Sequence, residues 1–194
     1  MTPHPITPEE AQEALELVER TTRQMRRAVA HGGMPYFLMI WGAVWILGFG
    51  GTHLLGPGSP QTGILWIVLD TLGVIASFGV GGWFGRRVRR GPWGPSMMGL
   101  FWLAWIGYGI LLVYFARPQS GNQLALLISL FAMFAYVTMG IFYRSRFLVG
   151  LGLGVTLFLV GGYLLIPPYF NLWMALLGGG SLMAAGLYIW YAWG

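Results

Sequence analysis

Residues 123–143 read QLALLISLFAMFAYVTMGIFY, and the residue that follows is Arg144. The stretch carries no charge and no proline. At a rise of 1.5 Å per residue, about 20 such residues cross about 30 Å of hydrocarbon, so the run has the length and character of a membrane helix. Runs of the same kind recur on both sides, at 34–55, 63–84, 96–116, 147–166 and 170–192. Chain breakers separate them: Pro57 and Pro60, then Gly91, Pro92 and Pro95, then Pro118 and Gly121, then Pro167 and Pro168.

Composition agrees. The chain has 194 residues, 56% hydrophobic and 9% charged, against about 25% charged in soluble domains. Its 31 glycines also fit, because glycine is commoner in membrane helices than in soluble ones. The expected fold is all-α: six transmembrane helices in residues 34–194, preceded in residues 1–33 by one cytoplasmic amphipathic helix. Residues 1–33 lack the basic start and early apolar run of a signal peptide.

That first helix is expected over residues 8–31. Thr7 and Glu10 have capping-box spacing, and Pro8 suits the first helical position. Ala11, Leu15, Val18, Thr22, Met25 and Val29 alternate at spacings of four and three, which makes one stripe. Glu16 with Arg20 and Glu19 with Arg23 are favourable i, i+4 pairs. Gly32 and Gly33 end the helix. Leu15, Val18 and Met25 are the candidate contacts to a partner.

Arginine sets the orientation. All 11 basic residues are arginine, a bias expected of a GC-rich bacterial genome. Arg20, Arg23, Arg26, Arg27, Arg86, Arg87, Arg89, Arg90, Arg144 and Arg146 fall on one side of the six-span topology, and Arg117 alone on the other. Cytoplasmic loops carry the excess of arginine, so both termini are expected inside, in a bacterial cytoplasmic membrane. Arg86, Arg87, Arg89 and Arg90 are first of all a topology anchor; the alternative is a site for anionic lipid headgroups or a phosphorylated partner.

Asp70 is the only acidic residue after Glu19, and it lies inside the second span. A charge in hydrocarbon is costly, so an ionisable residue there marks a functional site by default. Trp66, Gly73, Ser77 and Gly81 share its helical face, and that face is expected to pack on protein. Three arrangements relieve the cost. Asp70 is protonated and hydrogen-bonded, or it faces a water-filled cavity, or it pairs with a basic residue of another protein. No span contains an internal arginine, and His53 is the nearest candidate cation. Gly81 with Gly85, and Gly150 with Gly154, have the spacing of helix-packing motifs, and Gly178, Gly179, Gly180, Ser181, Ala184 and Ala185 give the sixth span a small packing face too.

Much chemistry is excluded. Without cysteine there is no disulfide, zinc–thiolate site, iron–sulfur cluster or cysteine nucleophile. His4, His31 and His53 lack metal-ligand spacing, and no nucleotide or hydrolase motif occurs. No cofactor, metal, nucleic-acid partner or catalysis is expected. The expected function is that of an accessory or regulatory subunit, in contact with the bilayer and with a membrane-protein partner or a second copy. The alternative is a small proton-coupled transporter or channel that uses Asp70.

Overall fold

The computed structural model describes residues 7–31, 33–85 and 95–193, and every regular element among them is helical. Helix α1 (Pro8–His31) precedes six helices long and apolar enough to cross a membrane. These are α2 (Met34–Leu55), α3 (Pro60–Gly85), α4 (Pro95–Ala116), α5 (Gly121–Phe142), α6 (Arg146–Leu165) and α7 (Pro167–Trp193). Helices suit hydrocarbon because they satisfy their own backbone groups where no water is present. The widest departures from the expected spans are starts at residue 60 instead of 63 and at 167 instead of 170. Ser59 explains the first: its Oγ accepts from the Thr62 amide at 3.2 Å, and Pro60 follows where a missing N–H costs nothing.

In α1 the Thr7 Oγ1 accepts from the Glu10 amide at 3.2 Å. The Glu10 carboxylate accepts from the Thr7 amide at 2.9 Å, closing the box. Arg20 meets Glu16 at 3.2 Å and Arg23 meets Glu19 at 2.9 Å. The body of the helix is bare, with Leu15 66% and Val18 62% exposed. Ala30, in its last turn, is buried, and α1 touches α2 and α7. Gly33 then turns the chain with φ of 86°, which only glycine adopts without strain.

The core is built by α2, α5, α6 and α7. Leu38, Trp45, Phe49, Met133, Leu148, Leu159, Phe170, Met174 and Leu182 are its buried centre. Glycine lets these helices approach closely. A Cβ on Gly42 would stand 2.7 Å from the Met183 amide nitrogen, and one on Gly179 would stand 2.7 Å from that of Ile46. Across α5 and α6, a Cβ on Gly140 would stand 2.7 Å from the Val149 nitrogen. Backbones this close gain dispersion contacts, which drive helix association where lipid is as apolar as the side chains. The small-faced run of the sixth span supplies Gly179, but the glycines paired by four-residue spacing are not among these contacts. Gly150 and Gly154 face open space, and Gly81 has a single neighbour, Phe37, at 3.9 Å.

Helix α7 is not uniform. It opens with a 3-10 turn at Pro167–Tyr169 and widens into a π stretch at Met174–Gly179. Met174, Ala175, Gly178 and Gly179 are all buried there. The wide turn therefore presents two glycines to α2, where Gly178 meets Trp45 and Gly179 meets Ile46.

Contacts define the two ends of the bundle. At one end Gly33 lies by Phe84, Gly186 by the Pro35 carbonyl, and Phe147 by Trp193. At the other, Gly121 lies by Pro57 and the His53 and Tyr169 rings are 6.3 Å apart. A polar clasp joins α5 to the start of α7 here: the buried Asn171 donates its amide to Asn122 Oδ1 at 3.0 Å, and Asn122 donates to the Pro167 carbonyl at 3.4 Å. Asn171→Leu is expected to lower stability by about 1 kcal/mol, the scale of interhelical hydrogen bonds in membrane bundles. Thermal unfolding in detergent of N122A, N171L and the double variant measures it; strictly additive losses would show that the clasp does not couple the segments.

The hairpins α2–α3 and α6–α7 carry similar sequence, Gly50-Gly51 and Leu65-Trp66 in one, Gly161-Gly162 and Leu172-Trp173 in the other. Both seat the tryptophan on glycine of the preceding helix, Trp66 on Gly48 and Trp173 on Gly162. The two glycines are not at equivalent positions, so the hairpins share a packing device and not a register.

Candidate functional site

Helix α3 is tied to the bundle through α2. Its inner face is Thr62, Trp66, Leu69, Gly73, Val80 and Phe84. Trp66 is wedged into that contact. Its indole lies over Gly48, stands 4.8 Å from the Phe49 ring, and donates through Nε1 to Thr52 Oγ1 at 2.9 Å. The Thr52 hydroxyl in turn donates to the Gly48 carbonyl at 2.7 Å, so this polar pair is complete. Gly73 is buried against Val44 and Trp41. Trp66 is thus a packing residue of the hairpin.

Asp70 is exposed, and no hydrogen bond or ion pair joins it to a described residue. The expectation that its face packs on protein needs correcting. Successive residues turn by about 100° on a helix, so Asp70, next to Leu69 and three before Gly73, stands beside the packed face and not in it. Ser77, one heptad further, is half-buried; its Oγ is enclosed yet unbonded among the described residues. Gly81 is exposed.

His53 stands at the far end of α2, beside Tyr169. Asp70 lies one turn beyond Trp66 in the opposite direction, and no ion pair joins it to His53. His53 therefore leaves Asp70 without a counter-charge.

Helix α4 packs on α5, chiefly through Trp105 stacked on Phe131 at 4.5 Å and Gly109 against the same ring. None of its described side chains is buried, and the Trp105 Nε1 is a second enclosed group without a described partner. Helices α3 and α4 are therefore the peripheral members of the bundle. Thr138 and Thr156 bond back to their own helices at Phe134 and Gly152, both at 2.8 Å, and Tyr108 points outward, 70% exposed.

Among the remaining candidates, Leu15 and Val18 are exposed on α1. The Met25 side chain and Arg86, Arg87, Arg89 and Arg90 lie outside the described residues. No cluster of metal-ligating side chains occurs among the described residues. The sequence pattern does not predict the Asn122–Asn171 clasp or the Thr52–Trp66 bond. Their one signal is an amide or hydroxyl near a span end, a pattern too common to single out partners.

Six helices of this length and hydropathy make the chain a multi-pass helical membrane protein. It matches no protein-family model, and no curated protein or solved structure is significantly similar to it.

Proposed function

We propose that the chain is a non-catalytic accessory or regulatory subunit of a membrane complex, in which Asp70 pairs with a basic residue on a membrane helix of a partner protein. The observation that carries the proposal is the position of Asp70: a lone carboxyl within the apolar run of a peripheral helix, on a flank that the described residues leave open. Ionisable groups inside membranes are paired or face water, and α2 supplies neither at this position. Both termini lie in the cytoplasm of a bacterial cell in this reading, since Arg144 and Arg146 belong to the bundle end where α1 joins, and Arg117 to the other. The exposed stripe of α1, with Leu15, Val18 and Met25, is the second contact.

Affinity purification from the native membrane in mild detergent, followed by mass spectrometry, tests the proposal. A stoichiometric second protein with a basic residue inside a membrane helix supports it. A clean single species, together with a proton-dependent flux in vesicles that Asp70→Asn abolishes, overturns it in favour of transport. Deletion of residues 1–31 is expected to lower partner recovery severalfold while the bundle still folds, because Ala30 is the one buried residue among the described side chains of α1. Unchanged recovery removes α1 from the interface.

A further inference from the structure

We propose that the recess at the α5–α6 turn binds the phosphate of an anionic membrane lipid between Arg144 and Arg146, independently of any partner at Asp70. The recess has a volume of about 440 Å³, and Ile141, Val149 and Gly150 line it together with the two arginines. Neither arginine is spent on a carboxylate: the ion pairs among the described residues are Arg20–Glu16 and Arg23–Glu19. The apolar wall continues along the helices, and a Cβ on Gly150 would meet nothing within 4 Å, which leaves room for an acyl chain beneath the headgroup. Phe147, at the same turn, sits 5.4 Å from both Tyr188 and Trp193, an aromatic cluster of the kind found at headgroup depth.

The backbone sets Arg144 apart independently. It has φ of 49° and closes the end of α5, with the Ser145 amide bonded to the Gly140 carbonyl at 2.7 Å and the Arg144 amide to that of Ile141 at 3.0 Å. Glycine is the usual residue at this place because it takes a left-handed conformation without steric cost. Here the position carries a guanidinium on the recess instead. A topology anchor needs positive charge at this end of the bundle, but it needs neither a recess nor this particular backbone position.

The test uses the full chain in nanodiscs of equimolar phosphatidylglycerol and phosphatidylcholine, with retained lipid read by native mass spectrometry. Phosphatidylglycerol is expected to be enriched by about tenfold through the two arginines. Arg144→Gly and Arg146→Gln are each expected to reduce that enrichment severalfold, and R144G is expected to melt no lower than the parent, since it relieves the backbone. Arg117 has the same left-handed geometry, with φ of 45°, at the other end of the bundle, so Arg117→Gly is the control and should leave retention unchanged. Equal enrichment in the parent, R144G and R146Q overturns the site. So does equal stabilisation of the parent by inorganic phosphate in pure phosphatidylcholine, which would make soluble phosphate the ligand.

Discussion

Gly179→Leu is expected to abolish the folded bundle. At Gly179 a Cβ would stand 2.7 Å from the Ile46 nitrogen and 2.9 Å from the Gly42 carbonyl oxygen. These are backbone atoms, so no rotamer change makes room, and α2 and α7 must separate along the crossing that supplies most of the core. Overpacking a well-packed core typically costs about 1–3 kcal/mol, more when the backbone has to move, and a leucine here belongs at or beyond the upper end. Gly42→Leu meets the same crossing from the other side, 2.7 Å from the Met183 nitrogen, and should behave alike. Gly150→Ala and Gly154→Ala are the contrast. Nothing lies within 4 Å of a Cβ at either position, and trading glycine for alanine in a helix restricts the unfolded chain, so stability should hold or rise by about 0.4–1 kcal/mol. Size-exclusion chromatography and thermal unfolding in detergent read all four. Monodisperse, unshifted G179L would mean that the close α2–α7 approach is not what holds the bundle.

Asp70→Leu is expected to separate stability from assembly. The carboxyl makes no hydrogen bond or ion pair with a described residue, so its removal takes away no polar contact among them. What goes is the cost of a carboxylate in hydrocarbon, about 2.5–3.5 kcal/mol on insertion scales for a central position. The isolated protein should thus be at least as stable as the parent, while the partner is lost from affinity purification. Asp70→Asn keeps shape and some hydrogen bonding and should release the partner less completely. A substantial loss of stability in isolated D70L would show that Asp70 serves the bundle internally, and the proposed pairing would fall with it.

The site was only partly legible in the sequence. Asp70 stood out because a lone acid among apolar residues is conspicuous whatever it touches. Which way it pointed was not legible: Trp66, Gly73 and Ser77 were grouped with it on one face, yet α2 takes Trp66 and Gly73 and leaves Asp70 on the flank. The glycines fared similarly. Small-residue patterns point to Gly150 and Gly154, which meet nothing, and to Gly178 and Gly179, which do pack on α2, but they pass over Gly42 and Gly140, which make equally close contacts.

What the sequence determined by itself was therefore local: six spans to within three residues, the Thr7–Glu10 box, and the pairs Glu16–Arg20 and Glu19–Arg23. Each follows from a constraint that acts along one helix, whether hydrocarbon thickness, backbone satisfaction or i, i+4 geometry. Tertiary structure alone decided which faces meet, why α7 widens at Met174–Gly179, and that α3 and α4 stand at the periphery. The physical reason is the solvent. In water a packed face is apolar and a free one polar, so periodicity betrays the interface. In a bilayer both faces are apolar, and only the fit of backbones across glycine tells one from the other.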